Sequence, residues 1–282
     1  MKISVVLPAK NESGAIAQTI YQIQELNLIT EILVVNDGST DDTKEISVKA
    51  GATVISHPYS KGNGAAIKSG ARKASGDIIV FMDADGQHSP KDIPRLLAKI
   101  EEGYDLVVGA RQKGSQASLG RGIANSLYNF LATYMTEHKV EDLTSGFRAV
   151  RAEKFKEFLY LLPNGFSYPT TSTMAFFRAG YSVTYVPINA AKRIGQSHIN
   201  PLKDGVRFFL IIFKIATLFS PLKMFLPISV ILFMMATGWY GYTLWEVGRF
   251  TNMSALLYTG SIMIFLMGLI SEQITALMYK EK

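Results

Sequence analysis

Three oxygen-bearing side chains stand at alternate positions in Asp83-Ala84-Asp85-Gly86-Gln87, directly after the apolar run Ile78 to Met82. Alternate residues of an extended segment share a face, so Asp83, Asp85 and Gln87 would converge on one point. Hard oxygen ligands of that kind suit a divalent cation. Mg²⁺ or Mn²⁺ needs only one or two protein carboxylates when a substrate's phosphates complete its shell. A buried strand over 77–82 would deliver both acids to its carboxyl end, where open α/β sheets bind their ligands. The competing reading is a polar turn, since Asp and Gly are ordinary turn residues.

Other polar clusters recur at the ends of apolar runs. In Asn36-Asp37-Gly38-Ser39-Thr40-Asp41-Asp42-Thr43, Asp37 can accept hydrogen bonds from a base or ribose, and Ser39 to Asp42 can cap a following helix. Lys61-Gly62-Asn63-Gly64 opens another helical stretch and would set backbone N–H groups and a positive charge near a phosphate. Arg111, Arg121 and the run Glu141-Asp142-Leu143-Thr144-Ser145-Gly146-Phe147-Arg148 add cations and hydroxyls. The place where a dinucleotide-binding oxidoreductase needs G-x-G-x-x-G reads Pro8-Ala9-Lys10-Asn11-Glu12-Ser13-Gly14, so that class is excluded.

These clusters need a scaffold of alternating elements. Apolar runs predict strands over 3–7, 31–35, 53–56, 77–82 and 105–109; helical periodicity predicts helices over 12–26, 40–50, 64–74 and 90–102. The alternation predicts a parallel βαβ sheet. Ser89 is the expected N-cap of the last helix, with Pro90 at its first position and Asp92 in its first turn.

The 282 residues exceed one α/β domain, and the surplus is apolar. No charged residue interrupts 224–245 or 250–271, each long enough at roughly 20 residues to span a bilayer. Glu246-Val247-Gly248-Arg249 joins the two runs as a hairpin, giving expected spans of about 224–245 and 252–273. The first apolar run, from Ile3, is too short for a secretory signal, so the expectation is a membrane protein with its catalytic domain and both termini cytoplasmic. Lys214 and Lys223 agree with a positive inside flank. Between 201 and 221, Lys203, Arg207 and Lys214 fall within about 40° on a helix otherwise rich in Phe and Ile, the pattern of an interfacial amphipathic helix. The absence of cysteine excludes disulfides and thiolate chemistry. A net charge of +6 suits an anionic membrane face and phosphorylated substrates, while no basic run with interleaved aromatics points to nucleic acid.

Leu7-Pro8-Ala9-Lys10-Asn11-Glu12, Val35 to Thr43, Asp83-Ala84-Asp85-Gly86-Gln87 and Thr144-Ser145-Gly146-Phe147-Arg148, in this order, resemble the family 2 glycosyltransferases. Within that family they are similar to the polyprenyl-phosphate sugar transferases typified by dolichyl-phosphate mannose synthase. The resemblance covers about residues 1–200 and implies a GT-A (Rossmann-like) nucleotide-sugar-binding domain, followed by the 201–221 juxtamembrane helix and a 222–282 transmembrane hairpin. It implies Pro8, Asn11, Glu12, Asp37, Lys61, Asp83, Ala84, Asp85, Arg193 and Ser197 on a nucleotide-diphosphate sugar, and Mg²⁺ or Mn²⁺ on Asp83, Asp85 and Gln87. Arg111, Arg121, Ser145 and Arg148 would hold an acceptor phosphate, with Asp85, Asp142 and Arg148 as catalytic residues. His198 stands where relatives commonly place a fixed cation.

The implied reaction moves a hexose, of the GDP-mannose or UDP-glucose type, to a dolichyl or undecaprenyl phosphate with inversion at the anomeric carbon. Two other readings stay open on sequence: transfer to a lipid or glycan hydroxyl, and a non-catalytic membrane-tethered nucleotide-binding regulator. Two short spans leave surfaces on which copies can pair, so a homo-oligomer is also open.

Overall fold

A computed structural model describes residues 1–112, 119–165, 167–189, 213 and 217–278. Two compact units divide the chain, Met1–Ile199 and Asn200–Lys282.

In the first unit β1 (Ile3–Ala9), β2 (Glu31–Asn36), β3 (Thr53–Ser56), β4 (Ile78–Phe81), β5 (Leu106–Arg111), β6 (Arg148–Arg151) and β7 (Val183–Ile188) form one sheet in the order β3-β2-β1-β4-β6-β5-β7. The helices are α1 (Ile16–Gln24), α2 (Thr43–Lys49), α3 (Asn63–Lys73), α4 (Ile93–Glu101), α5 (Leu119–Thr136), α6 (Ala152–Glu157) and α7 (Tyr168–Arg178). The expected strands over 3–7, 31–35 and 53–56 form a parallel ladder, in which β1 and β2 bury continuous apolar runs and β3, Thr-Val-Ile-Ser, is the half-exposed edge strand. α1 buries Ile16, Ile20 and Ile23, and α4 buries Ile93, Leu96, Leu97 and Ile100, the i, i+3, i+4, i+7 stripe of an amphipathic helix. Both pack with Val5, Leu7 and Val80 in one core. On the opposite face α3 approaches β1 at Gly70, where a Cβ would lie 2.3 Å from Val6 Cγ1.

The wholly parallel sheet is corrected. β6 runs antiparallel to both β4 and β5 and separates them. Its four residues carry arginine at both ends, so no apolar run marks it. The insertion positions the site. With Phe81 paired to Arg148 and Val108 also paired to Arg148, the residues just before β6 lie beside those just after β4 and β5. Residues 145–147 are thereby brought next to Asp83 and Arg111.

The start of the helix after β4 is also corrected. Pro90–Asp92 is a single 3₁₀ turn, α4 follows it, and Ser89 takes the extended cap backbone without a side-chain capping bond.

In the second unit α8 (Pro221–Val247) and α9 (Asn252–Met278) form an antiparallel hairpin, each long and apolar enough to cross a membrane. Ser229, Ala236 and Thr243 of α8, and Ser254, Ser261, Gly268 and Thr275 of α9, are buried at seven-residue spacing. Small residues let the two backbones approach, and the Ser229 and Ser261 hydroxyls each donate to the other's carbonyl, at 3.0 and 2.9 Å. Glu272 makes the interhelical contact by accepting the Leu222 amide at 3.2 Å, an anion at a helix N-terminus. Large apolar side chains such as Trp245, Leu256 and Ile270 face outward. The 201–221 amphipathic helix lies almost wholly outside the described residues.

Candidate active site

The loops after β1 and β2 are knitted together at the carboxyl edge of the sheet. Asn11 donates its amide to Ser39 Oγ at 3.0 Å and accepts the Thr40 amide at 2.8 Å; Glu12 N–H donates to Thr43 Oγ1 at 2.9 Å. Asn11 takes a left-handed φ of 57°, which asparagine tolerates better than most residues. Asp42 is the N-cap of α2 without a side-chain capping bond, while Asp41 accepts the Thr43 and Ser13 amides and so ties the two loops.

Asp37 is buried and its carboxylate is fully engaged within the protein. It accepts from Ser60 Oγ at 2.8 Å, Lys61 N at 2.8 Å and Gly62 N at 2.9 Å, and pairs with His57 Nδ1 at 2.7 Å. Burial pushes this carboxyl up, but those donors, His57 foremost, outweigh it and bring the pKa down to about 2. His57 Nε2 in turn meets Ser69 Oγ at 2.9 Å. The expected amide cradle at Lys61 to Gly64 is therefore corrected. The Lys61 and Gly62 amides go to Asp37, and those of Gly64 and Ala65 go to the carbonyls of Gly165 and Asn164. The Lys61 side chain stays exposed, 5.8 Å over the Tyr59 ring.

β4 ends at Phe81, and 84–86 bend rather than extend, so Asp83 and Asp85 are carried by a turn and not by one face of a strand. The Asp83 side chain is 33% exposed. Asp85 Oδ1 accepts the Gln87 amide at 3.1 Å. Ala84 is buried in the core and anchors the turn between the two acids. Gly146 abuts Asp83 so closely that a Cβ there would lie 2.8 Å from Oδ2.

Arg111, at the end of β5, reaches the same edge and is clamped by Asp142. Nε meets Oδ2 at 2.8 Å and a terminal nitrogen meets Oδ1 at 3.0 Å, the fork geometry of a strong pair. That terminal nitrogen also reaches Thr144 Oγ1 at 2.6 Å. Asp142 further accepts the amides of Arg111, Thr144 and Ser145. Burial would raise its pKa, yet the bonds and charge of Arg111 hold it below the usual carboxylate range.

Arg148 lies on the opposite face of the sheet from the main core and is 0% exposed. It donates to Pro169 O at 2.9 Å, Ser172 Oγ at 2.7 Å, Thr173 Oγ1 at 3.2 Å and Ser145 O, with its guanidinium 5.6 Å over the Tyr168 ring. Tyr168 in turn donates to Gly146 O at 2.9 Å. Arg148 thus braces Ser145 directly and Gly146 through Tyr168, with its guanidinium wholly buried. Ser145 Oγ is buried without a partner among the described residues. Pro8, Asn11, Glu12, Asp37, Asp83, Asp85, Gln87, Arg111, Asp142 and Ser145 all lie at this one edge of the sheet. Arg121 falls in α5, and its side chain is not among those described; Arg193, Ser197 and His198 lie outside the described residues.

His57, His88 and Tyr168 carry no signal in the sequence, because each meets its partner, Asp37, Phe147 and Gly146 respectively, across the fold.

No three His, Asp or Glu side chains among the described residues form a closed metal cage. The donor set at Asp83, Asp85 and Gln87 instead fits an ion whose remaining ligands are a substrate's phosphate oxygens.

The mixed sheet is of GT-A type, a glycosyltransferase fold. The chain belongs to glycosyl transferase family 2, whose description matches residues 4–159. Residues 220–277 match the GtrB C-terminal hairpin. An undecaprenyl-phosphate 4-deoxy-4-formamido-L-arabinose transferase of Salmonella choleraesuis is 34% identical over 202 residues, 68% of this chain and 60% of that protein. Among solved structures, glucosyl-3-phosphoglycerate synthase from Mycobacterium tuberculosis with Mn²⁺, UDP and glucosyl-3-phosphoglycerate superposes at a TM-score of 0.61 and 27% identity, covering 76% of this chain and 78% of that one. The same enzyme with Mg²⁺ and UDP gives a TM-score of 0.60 at 27% identity, over 75% and 79%.

Proposed function

We propose that this protein is a membrane-bound, inverting glycosyltransferase that moves a sugar from a nucleotide-diphosphate donor to a polyprenyl phosphate. One observation carries the reading: the partly open carboxylate of Asp83, suited to a cation, and the Asp142-clamped guanidinium of Arg111 stand at one sheet edge, on a protein with a membrane hairpin.

The acceptor class decides what the residues must do. A phosphate monoester oxygen is already anionic near neutrality, because its second pKa is about 6. It needs no strong base. Asp142 supports this, since every acceptor position it offers is filled by Arg111, Thr144 and Ser145 and its pKa is lowered. Its task is to aim Arg111 at the incoming phosphate. Arg148 supports the same geometry from behind, fixing the Ser145-Gly146 backbone against Asp83. Asp83, Asp85 and Gln87 would hold Mg²⁺ or Mn²⁺, which when bound supplies positive charge against the departing nucleoside diphosphate. Pro8, Asn11 and Glu12, in the loop locked to Ser39, Thr40 and Thr43, would hold the nucleoside. Asp37 contributes by holding the Lys61-Gly62 loop beside them.

The relative that carries undecaprenyl phosphate in its name handles a formamido-arabinose, and the solved neighbour handles glucose, so the donor panel must reach beyond hexoses. The test is transfer from radiolabelled nucleotide sugars, with Mg²⁺ or Mn²⁺, to a short polyprenyl phosphate. One donor yields an organic-extractable product that is lost with EDTA or in Asp85→Asn. If every donor fails while nucleotide still binds, the lipid-phosphate reading is wrong.

A further inference from the structure

α5 holds the segment before β6 with its side chains. Thr133 Oγ1 accepts the Val140 amide at 3.0 Å, and about one turn earlier the half-buried Asn129 makes two bonds to the backbone. Its Nδ2 donates to Glu141 O at 2.6 Å, and its Oδ1 accepts the Leu143 amide at 3.0 Å. Turned over, the side-chain amide would set N–H against N–H and oxygen against oxygen, so these partners fix its orientation. Asn129 does here what a peptide group of a neighbouring strand would do, and it does so on both sides of Asp142.

Asp142, between those two anchors, is buried and carries Arg111 on both carboxylate oxygens, at 2.8 and 3.0 Å. The guanidinium is placed only as well as that carboxylate, and the carboxylate only as well as the backbone that bears it. α5 also carries Arg121, about two turns before Asn129. The same clip therefore ties the loop that clamps Arg111 to the helix of a second expected phosphate contact.

We propose that Asn129 is a positioning residue for the acceptor phosphate: by clipping the backbone on both sides of Asp142, it fixes the carboxylate that aims Arg111. The inference rests on the reading above that Arg111 meets the phosphate of a polyprenyl acceptor. Nothing local in the sequence marks Asn129, because its partners lie 12 and 14 residues away.

The test is steady-state transfer by the full chain in detergent, with a short polyprenyl phosphate and the nucleotide sugar varied in turn. N129L keeps the shape of the side chain and removes both hydrogen-bonding groups. Should it fail to fold, N129A removes the same groups with the strongest helix former. The expected result is a KM for the polyprenyl phosphate at least about tenfold higher, the loss of one bond to a charged group. KM for the nucleotide sugar and Tm stay as they are in the unaltered chain. D142N supplies the second readout: acting through Asp142, the Asn129 substitution costs much less in D142N than in the unaltered chain. An unchanged acceptor KM, an equal rise in both KM values, or an undiminished effect in D142N would overturn the role of Asn129. The unaltered chain separates the two layers of argument. If it transfers nothing to polyprenyl phosphate, the acceptor reading fails and takes this inference with it; if it transfers and the Asn129 variant matches it, only the inference fails.

Discussion

Asp142 and Asp83 are both carboxylates at the same sheet edge, yet their surroundings give them different work. Asp142 is buried under Arg111, Thr144 and Ser145, whereas Asp83 keeps a third of its side chain open. Asp142→Asn preserves shape and one acceptor but loosens Arg111, and its transfer rate should fall less than that of Asp83→Asn or Asp85→Asn. Equal and complete loss in all three would restore Asp142 as a base. Gly146→Ala provides a steric counterpart, because its Cβ would press on Asp83 Oδ2 at 2.8 Å. Relieving that contact moves Asp83, and a misplacement of about 1 Å near a reacting centre costs about 10²-fold in rate. Steady-state kinetics should show this loss while circular dichroism stays unchanged.

The loops that deliver these residues depend on elements of unequal legibility. β1 and β2 are plain in the sequence because each is dominated by a run of apolar residues bounded by polar turns, and β3 by its β-branched Thr-Val-Ile. β6 is not, since Arg148 is buried with the help of the Ser172 and Thr173 hydroxyls and the Pro169 carbonyl, 24, 25 and 21 residues away. Local pattern holds no trace of such a partner. The Arg111–Asp142 pair, 31 residues apart, was similarly invisible as a pair although both residues stood out singly. The motif at Asp37 was visible, but its role shifted toward the protein interior because Ser60, Lys61 and Gly62 return to it from another loop. That node has a pH signature. The Asp37 carboxyl is depressed from an ordinary 3.8 to about 2, so its stabilisation is complete above the ordinary value and is lost as pH falls toward about 2. Asp37→Asn should be destabilised near neutrality by about 1–3 kcal/mol, the cost of unsatisfied buried donors. The gap in Tm between the two proteins should close across that acid window; a gap independent of pH would show that Asp37 acts by shape alone.

At the scale of the whole molecule, a GT-A unit and an apolar helical hairpin occupy one chain. Membrane association follows from α8, α9 and the GtrB-type hairpin match. The cytoplasmic placement of the first unit is our proposal, and the absence of cysteine makes it easy to check. A cysteine at exposed Lys139 should react with an impermeant maleimide only after cells are opened, whereas one at Arg249 in the hairpin turn should react from outside. The reverse pattern would invert the topology. The central claim is that phosphate, not hydroxyl, is the nucleophile. The most direct measurement is the transfer rate from one active donor to a polyprenyl phosphate and to the matching polyprenol, side by side. The account predicts product with the phosphate and none with the alcohol, since Asp142 is not available to take a hydroxyl proton. Comparable rates with both acceptors, or transfer to the alcohol alone, would contradict it.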